Sequence, residues 1–198
     1  MRWIICSILA VAMAGVYVWA ADETKPAVDP AMAAQMEAWM KIGAPGAQHQ
    51  KLQELAGKFD AEITAQMAPE APADKSKGTE TREALFGGRY LKCDYNGSFM
   101  GMPFNGMAVW GYDNQKQKYV MSWIDSMSTM IMMSEGSADE AGKTITYKTE
   151  CEDPVSKQKI PGRQVLIIED ADHQTFEGYQ TKDGKEAKVM TIKYTRAK

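Results

Sequence analysis

The run Met127-Ser128-Thr129-Met130-Ile131-Met132-Met133 places four thioethers within seven residues, and thioethers are soft ligands suited to Cu(I). An extended chain would divide them, with Met130 and Met132 on one face and Met133 on the other. Methionine is also the side chain that best fills irregular apolar space. His49 and His173 have no partner at metal-ligand spacing, so surface or capping roles are expected for both. Asp125, Glu135, Glu177 and the pair Glu169-Asp170 are the candidates for acid/base work. Most of them stand beside turns, where solvated carboxylates are usual. There is no Gly-x-Ser-x-Gly, HExxH, CxxC or phosphate-binding glycine loop. The sequence Asn96-Gly97-Ser98 matches a glycosylation acceptor but lies inside a strand pattern. No catalytic residue, metal site or cofactor is therefore expected.

The elements that would position a binding site are clearer. From Arg89 to Gly136, aromatic and Met residues recur at every second position, the period of a sheet with one buried face. A turn at Met100-Gly101-Met102-Pro103 sets Tyr95 opposite Ala108 and Cys93 opposite Trp110. A turn at Asp113-Asn114-Gln115-Lys116 sets Trp110 opposite Tyr119, Ala108 opposite Met121 and Gly106 opposite Trp123. Both hairpins place Leu91, Cys93, Tyr95, Ala108, Trp110, Tyr119, Met121 and Trp123 on one face. A slip of one residue would invert a whole strand, so the agreement identifies the core side. Arg89 shares that parity and is expected inside, near the barrel mouth; Arg196 follows Ile192 and Tyr194 in the same way. A buried arginine needs a partner, either an ion pair or aromatic ring at the barrel end or a bound anion. The candidate ligand-binding set is therefore Arg89, Tyr95, Trp110, Tyr119, Met121 and Trp123.

These stretches carry a resemblance. Gly101-Met102-Pro103-Phe104, Gly111-Tyr112-Asp113-Asn114, Trp123-Ile124-Asp125-Ser126-Met127 and Ser134-Glu135-Gly136 resemble the signature of a family of bacterial proteins defined as a domain of unknown function. The similarity runs more weakly from about His49 to the C-terminus. It implies a lipocalin-like (calycin) barrel and brings no catalytic residues. Gly57-Lys58-Phe59 stands where such barrels often have Gly-x-Trp, a departure from the pattern. Some barrels of this class bind haem through a histidine, but neither His49 nor His173 is in a recognisably equivalent place.

In chain order, Met1 to Ala20 carries one cation, Arg2, an apolar run from Trp3 to Trp19 and small residues flanking a cleavage point. This reads as a signal peptide, which implies a periplasmic or secreted protein. Its removal takes Cys6 and leaves 178 of the 198 residues, with 22 basic against 26 acidic side chains, or −4. Such a balance disfavours nucleic acid and anionic membranes as partners. No later segment is long and apolar enough to span a bilayer. Residues 21–29 read as a flexible leader and 30–56 as a helical segment: one helix from Pro30 with Met32, Met36, Trp39 and Met40 on a stripe, and a second from Ala47 to Leu55. The pair is expected to cover one end or the outside of the barrel.

Residues 57–198 read as a mainly β domain of about ten strands, with a Pro-rich loop at Ala68–Lys77 and turn signals at Gly87-Gly88, Gly142, Asp153-Pro154, Pro161-Gly162, Asp170-Ala171-Asp172 and Asp183-Gly184. An antiparallel up-and-down barrel is the simplest topology, because closure removes the sheet edges. Cys93 and Cys151 fall on the third and seventh strands, and four spacings of about 4.8 Å exceed the roughly 4.4–6.8 Å that a disulfide spans. Both are expected as free thiols, since only a flattened barrel would bring them together. Two function classes fit: an exported, non-catalytic barrel that binds a small apolar or amphipathic molecule, or a structural or partner-binding envelope protein whose barrel is filled by its own side chains. The first residue of the mature chain should be Ala21. N-terminal sequencing that recovers Met1–Ala20 on a soluble cytoplasmic product would overturn export.

Overall fold

The computed structural model describes residues 29–66, 72–153 and 155–198. The expected signal peptide and all of the leader except Asp29 lie outside them, as do part of the Pro-rich loop and Pro154. Two helices, α1 (Pro30–Gly43) and α2 (Ala47–Gln53), precede ten strands. These are β1 (Gly57–Ala65), β2 (Asp74–Leu85), β3 (Tyr90–Phe99), β4 (Met102–Asp113), β5 (Lys118–Asp125), β6 (Met132–Ala138), β7 (Thr144–Glu152), β8 (Lys159–Ile168), β9 (His173–Lys182) and β10 (Lys185–Arg196). Each strand pairs antiparallel with the next, and β1 pairs with β10, so the sheet is a closed up-and-down barrel. Closure follows from alternation: β1 buries Phe59, Ala61, Ile63 and Ala65 and exposes the residues between them, which suits a sheet with one dry face.

The inward face is the expected one, but both hairpin registers differ by two residues. The β3–β4 turn is the two-residue Met100-Gly101, with φ of 51° and 76°, a pair of positive values that matches the twist of flanking strands. Phe99 consequently pairs with Met102, Cys93 with Ala108 and Tyr95 with Gly106. In the β4–β5 hairpin Asp113 pairs with Lys118, which sets Trp110 opposite Met121 and Ala108 opposite Trp123. A shift of two keeps every side chain on its face, so the error in the turns did not reach the core. Gly106 still lies under Trp123: a Cβ there would come within 2.1 Å of the indole.

Two further boundaries moved for local reasons. Pro161-Gly162, expected as a turn, lies within β8. Pro161 pairs only toward β7, because the β8–β9 ladder begins at Gly162, and an unpaired side is where a strand tolerates proline. The strand expected from Thr129 starts at Met132, since Asp125 and Ser128 accept backbone N–H groups of Met127, Ser128 and Met130 and fold that stretch into a loop.

The helices behave differently from each other. α1 begins in a leading unit that ends at Glu37, and α2 and the barrel belong to the second, Ala38–Lys198. Asp29 caps α1 through its carboxylate, and none of the helix's own residues is buried. α2 does cover a barrel end. Leu52 and Leu55 are buried in the core beside Phe59, Gln53 donates to the carbonyls of Gly88 and Tyr90, and the His49 Nδ1 accepts the Gly46 N–H at 3.0 Å. His49 is thus a capping residue, and burial lowers its pKa.

Cys93 and Cys151 are both free. Burial pushes both thiols up, Cys93 well above its ordinary value. Because the thiolate is the reacting form, alkylation of the native protein should label half-buried Cys151 ahead of Cys93. Once Met1–Ala20 and with it Cys6 are removed, unfolding without reductant should bring the total to two labels by intact mass, and a protein that takes none under those conditions must hold a disulfide.

Candidate functional site

The barrel has one end covered by α2. Away from α2, among Tyr95, Phe104, Trp110, Met121, Trp123 and Phe176, lies a cavity of about 380 Å³. Four of the six expected ligand residues therefore meet there: Tyr95, Trp110, Met121 and Trp123. Tyr119 shares their face but sits toward the α2 end, edge-on to Tyr112 at 5.0 Å, and borders a separate depression with Ala47 and Lys51. Arg89 is not in the interior. It is exposed and donates to the carbonyls of Gly43 and Phe86. Its parity failed because it belongs to a turn in which Phe86, Gly87 and Gly88 all have positive φ, and strand alternation does not carry through such a turn. Arg196 is half-buried at the covered end, 2.7 Å from Asp172 and 4.6 Å from the centre of the Phe59 ring, the ion pair and ring contact that one of its readings required.

The buried arginine is Arg82 on β2. Its side chain is wholly inaccessible and its Nε donates to Glu80 Oε1 at 2.6 Å. An Nη donates to Gln174 Oε1 at 2.9 Å, and Tyr194 donates to the other Glu80 oxygen at 3.0 Å. The guanidinium also lies 4.2 Å from the Phe59 ring centre, 4.5 Å from Tyr194 and 5.2 Å from Trp110. Burial is the largest single influence and works against its charge, but the attractions of Glu80, Tyr194 and Cys93, together with the hydrogen bond to Glu80, keep Arg82 above its ordinary range. The Tyr194 hydroxyl is driven well up by burial and then by the Glu80 charge. Glu80 and Tyr194 reach the inner part of the cavity wall, so the ion pair forms part of its floor.

Asp125 organises the mouth. Its Oδ2 accepts the indole N–H of Trp123 at 2.9 Å, while Oδ1 accepts the N–H groups of Met127 and Ser128, each at 2.9 Å. The Trp123-Ile124-Asp125-Ser126-Met127 signature is thus a ring-orienting and loop-folding device. Asn114 acts similarly at the other end, donating to the carbonyls of Ile42 and Ala44. Ser134 is buried against Gln164, and Gly136 lies where a Cβ would come within 2.3 Å of the Thr146 carbonyl.

The methionine-rich segment does not converge. Met127, Met130 and Met133 are exposed, whereas the Met132 sulfur accepts from the Thr149 hydroxyl at 3.2 Å. Among the described residues no group of three His, Cys, Asp or Glu is placed to hold a metal.

Glu80, Arg82, Gln174 and Tyr194 were absent from the expected site. A signal for two of them existed: continuing the pairing across Gly87-Gly88 sets Arg82 opposite Cys93 and Glu80 opposite Tyr95, as observed. β2 has no apolar alternation of its own to announce which face is inward.

A closed antiparallel up-and-down barrel with one end covered by α2 and an apolar cavity inside it defines the class. The chain belongs to the family described as "Protein of unknown function (DUF1579)", whose model matches residues 44–196. A comparison with curated proteins gives no match. Among solved structures, that titled "Crystal Structure of Rv2717c from M. tuberculosis" is 11% identical, with a TM-score of 0.56 over 78% of this chain and 100% of that one, a likeness of fold. A redesigned β-barrel is 16% identical, with a TM-score of 0.37 over 74% of this chain and 95% of that one.

Replacing one partner of a buried pair leaves the other charged and unpaired. Arg82→Ala should therefore cost about 3–5 kcal/mol in urea unfolding. Arg163→Ala, which breaks a half-exposed bidentate pair with Glu186, should cost no more than about 1 kcal/mol. Equal losses in the two variants would refute the role assigned to the buried pair.

Proposed function

We propose that this is an exported, non-catalytic barrel that takes a small apolar or amphipathic molecule into its interior cavity. The cavity carries the reading: at about 380 Å³ it lies within the roughly 300–1,000 Å³ typical of small-molecule sites, and its walls are aromatic rings, methionines and isoleucines. Large inward side chains line this space instead of filling it, which weighs against the side-chain-filled alternative. The apolar run at Met1–Ala20 supports export. A partner-binding role has one observation of its own, since Met32, Met36, Trp39 and Met40 are 55–67% exposed on α1.

Trp110 is buried and Trp123 half-buried at the cavity, so emission of the folded protein should be blue-shifted and should respond to an entering ligand. Titration with amphiphiles should change it saturably, at micromolar concentrations or below. Trp123→Ala should weaken that binding and lower stability by less than the roughly 3–5 kcal/mol of a core Trp deletion. Silence toward every amphiphile, joined to a stability loss of that full size, would establish the filled structural barrel.

A further inference from the structure

Among the described residues that line the cavity, the charges are of one sign. The charged residues that line it are Glu80 at the inner wall and Asp125 at the mouth, and no described lysine, arginine or histidine joins them. Glu80 is balanced by Arg82. Asp125 is not: its three hydrogen bonds come from neutral N–H groups, and no ion pair among the described residues includes it. The same carboxylate fixes the Trp123 indole, which stacks with Phe104 at 6.2 Å between ring centres, and Phe104 in turn lies 5.8 Å from Phe99.

An uncompensated carboxylate beside a cluster of aromatic rings is the setting that attracts an alkylammonium group. Ring faces draw the cation, the carboxylate adds Coulomb attraction, and a weakly hydrated quaternary nitrogen gives up little water. A carboxylate or phosphate head would meet repulsion there with no described lining cation to offset it.

Building on the cavity reading above, we infer that the ligand is cationic, with an ammonium head held at the mouth by Asp125, Trp123 and Phe104 and an apolar tail directed toward Trp110 and Met121. Decyltrimethylammonium, decanol and decanoate share a chain and differ in head charge. Titrated below their micelle concentrations against tryptophan emission of the full chain, they should bind in that order. The ammonium should bind about tenfold more tightly than the alcohol, the size of a partly desolvated cation–ring contact. Asp125→Asn keeps an acceptor for the loop and should bring the ammonium to within about twofold of decanol. In the unaltered protein, added salt should weaken ammonium binding and leave decanol binding unchanged. Decanol binding with decanoate equal to or tighter than the ammonium would overturn the cationic assignment and leave the cavity reading standing. Failure of all three to bind would overturn the cavity reading and this inference with it.

Discussion

Arg82 cannot be buried unless the barrel closes. Its partners and ring neighbours come from β1, β2, β4, β9 and β10: Phe59, Glu80, Trp110, Gln174 and Tyr194. Gln174 is 92 residues away in sequence and Tyr194, which bonds Glu80, is 114 residues from it. In an open sheet the guanidinium would be hydrated. In the closed one it is dehydrated, and each contact offsets part of a cost of several kcal/mol. The β1–β10 seam and the ion pair therefore depend on each other. That mutual dependence favours one strand arrangement over slipped alternatives, because a slip of one residue would turn Glu80 and Arg82 outward.

Glycine creates the room that the interior uses. Gly78 and Gly97 pair across β2 and β3, and a Cβ on either would come within 2.3 Å of the Tyr95 hydroxyl. Gly106 accepts Trp123 in the same manner. Two large rings, Tyr95 and Trp123, can thus lie against the wall instead of crossing the interior, which is how a barrel rich in Trp, Tyr and Met retains a cavity. The covered end takes the opposite course: Leu52, Leu55, Phe59 and the Arg82 cluster occupy it. Asp125 and Asn114 hold chain segments at opposite ends, so the quoted signatures are largely devices for turns and for placing the Trp123 ring.

The sequence by itself determined the strand count, the up-and-down order, and the inward face of β3, β4 and β5, because alternation is a local property that survives a two-residue error in a turn. It also located the cavity walls at Tyr95, Trp110, Met121 and Trp123, since those residues share that face. Depth along the barrel was beyond it: parity says that Tyr119 points inward but not toward which end, and only the stagger of the closed sheet places it under α2. Arg89 failed at a turn of positive φ, where alternation has no meaning. The tertiary structure decided how Arg82 is buried: β2 has no apolar alternation of its own, its inward parity comes only through its pairing with β3, and the Gln174 and Tyr194 side chains that enclose the guanidinium arrive from β9 and β10. It alone decided, too, that Asp125 ends beside the Trp123 and Phe104 rings with no described cation paired to it, since that depends on which side chains the closed barrel brings to that end.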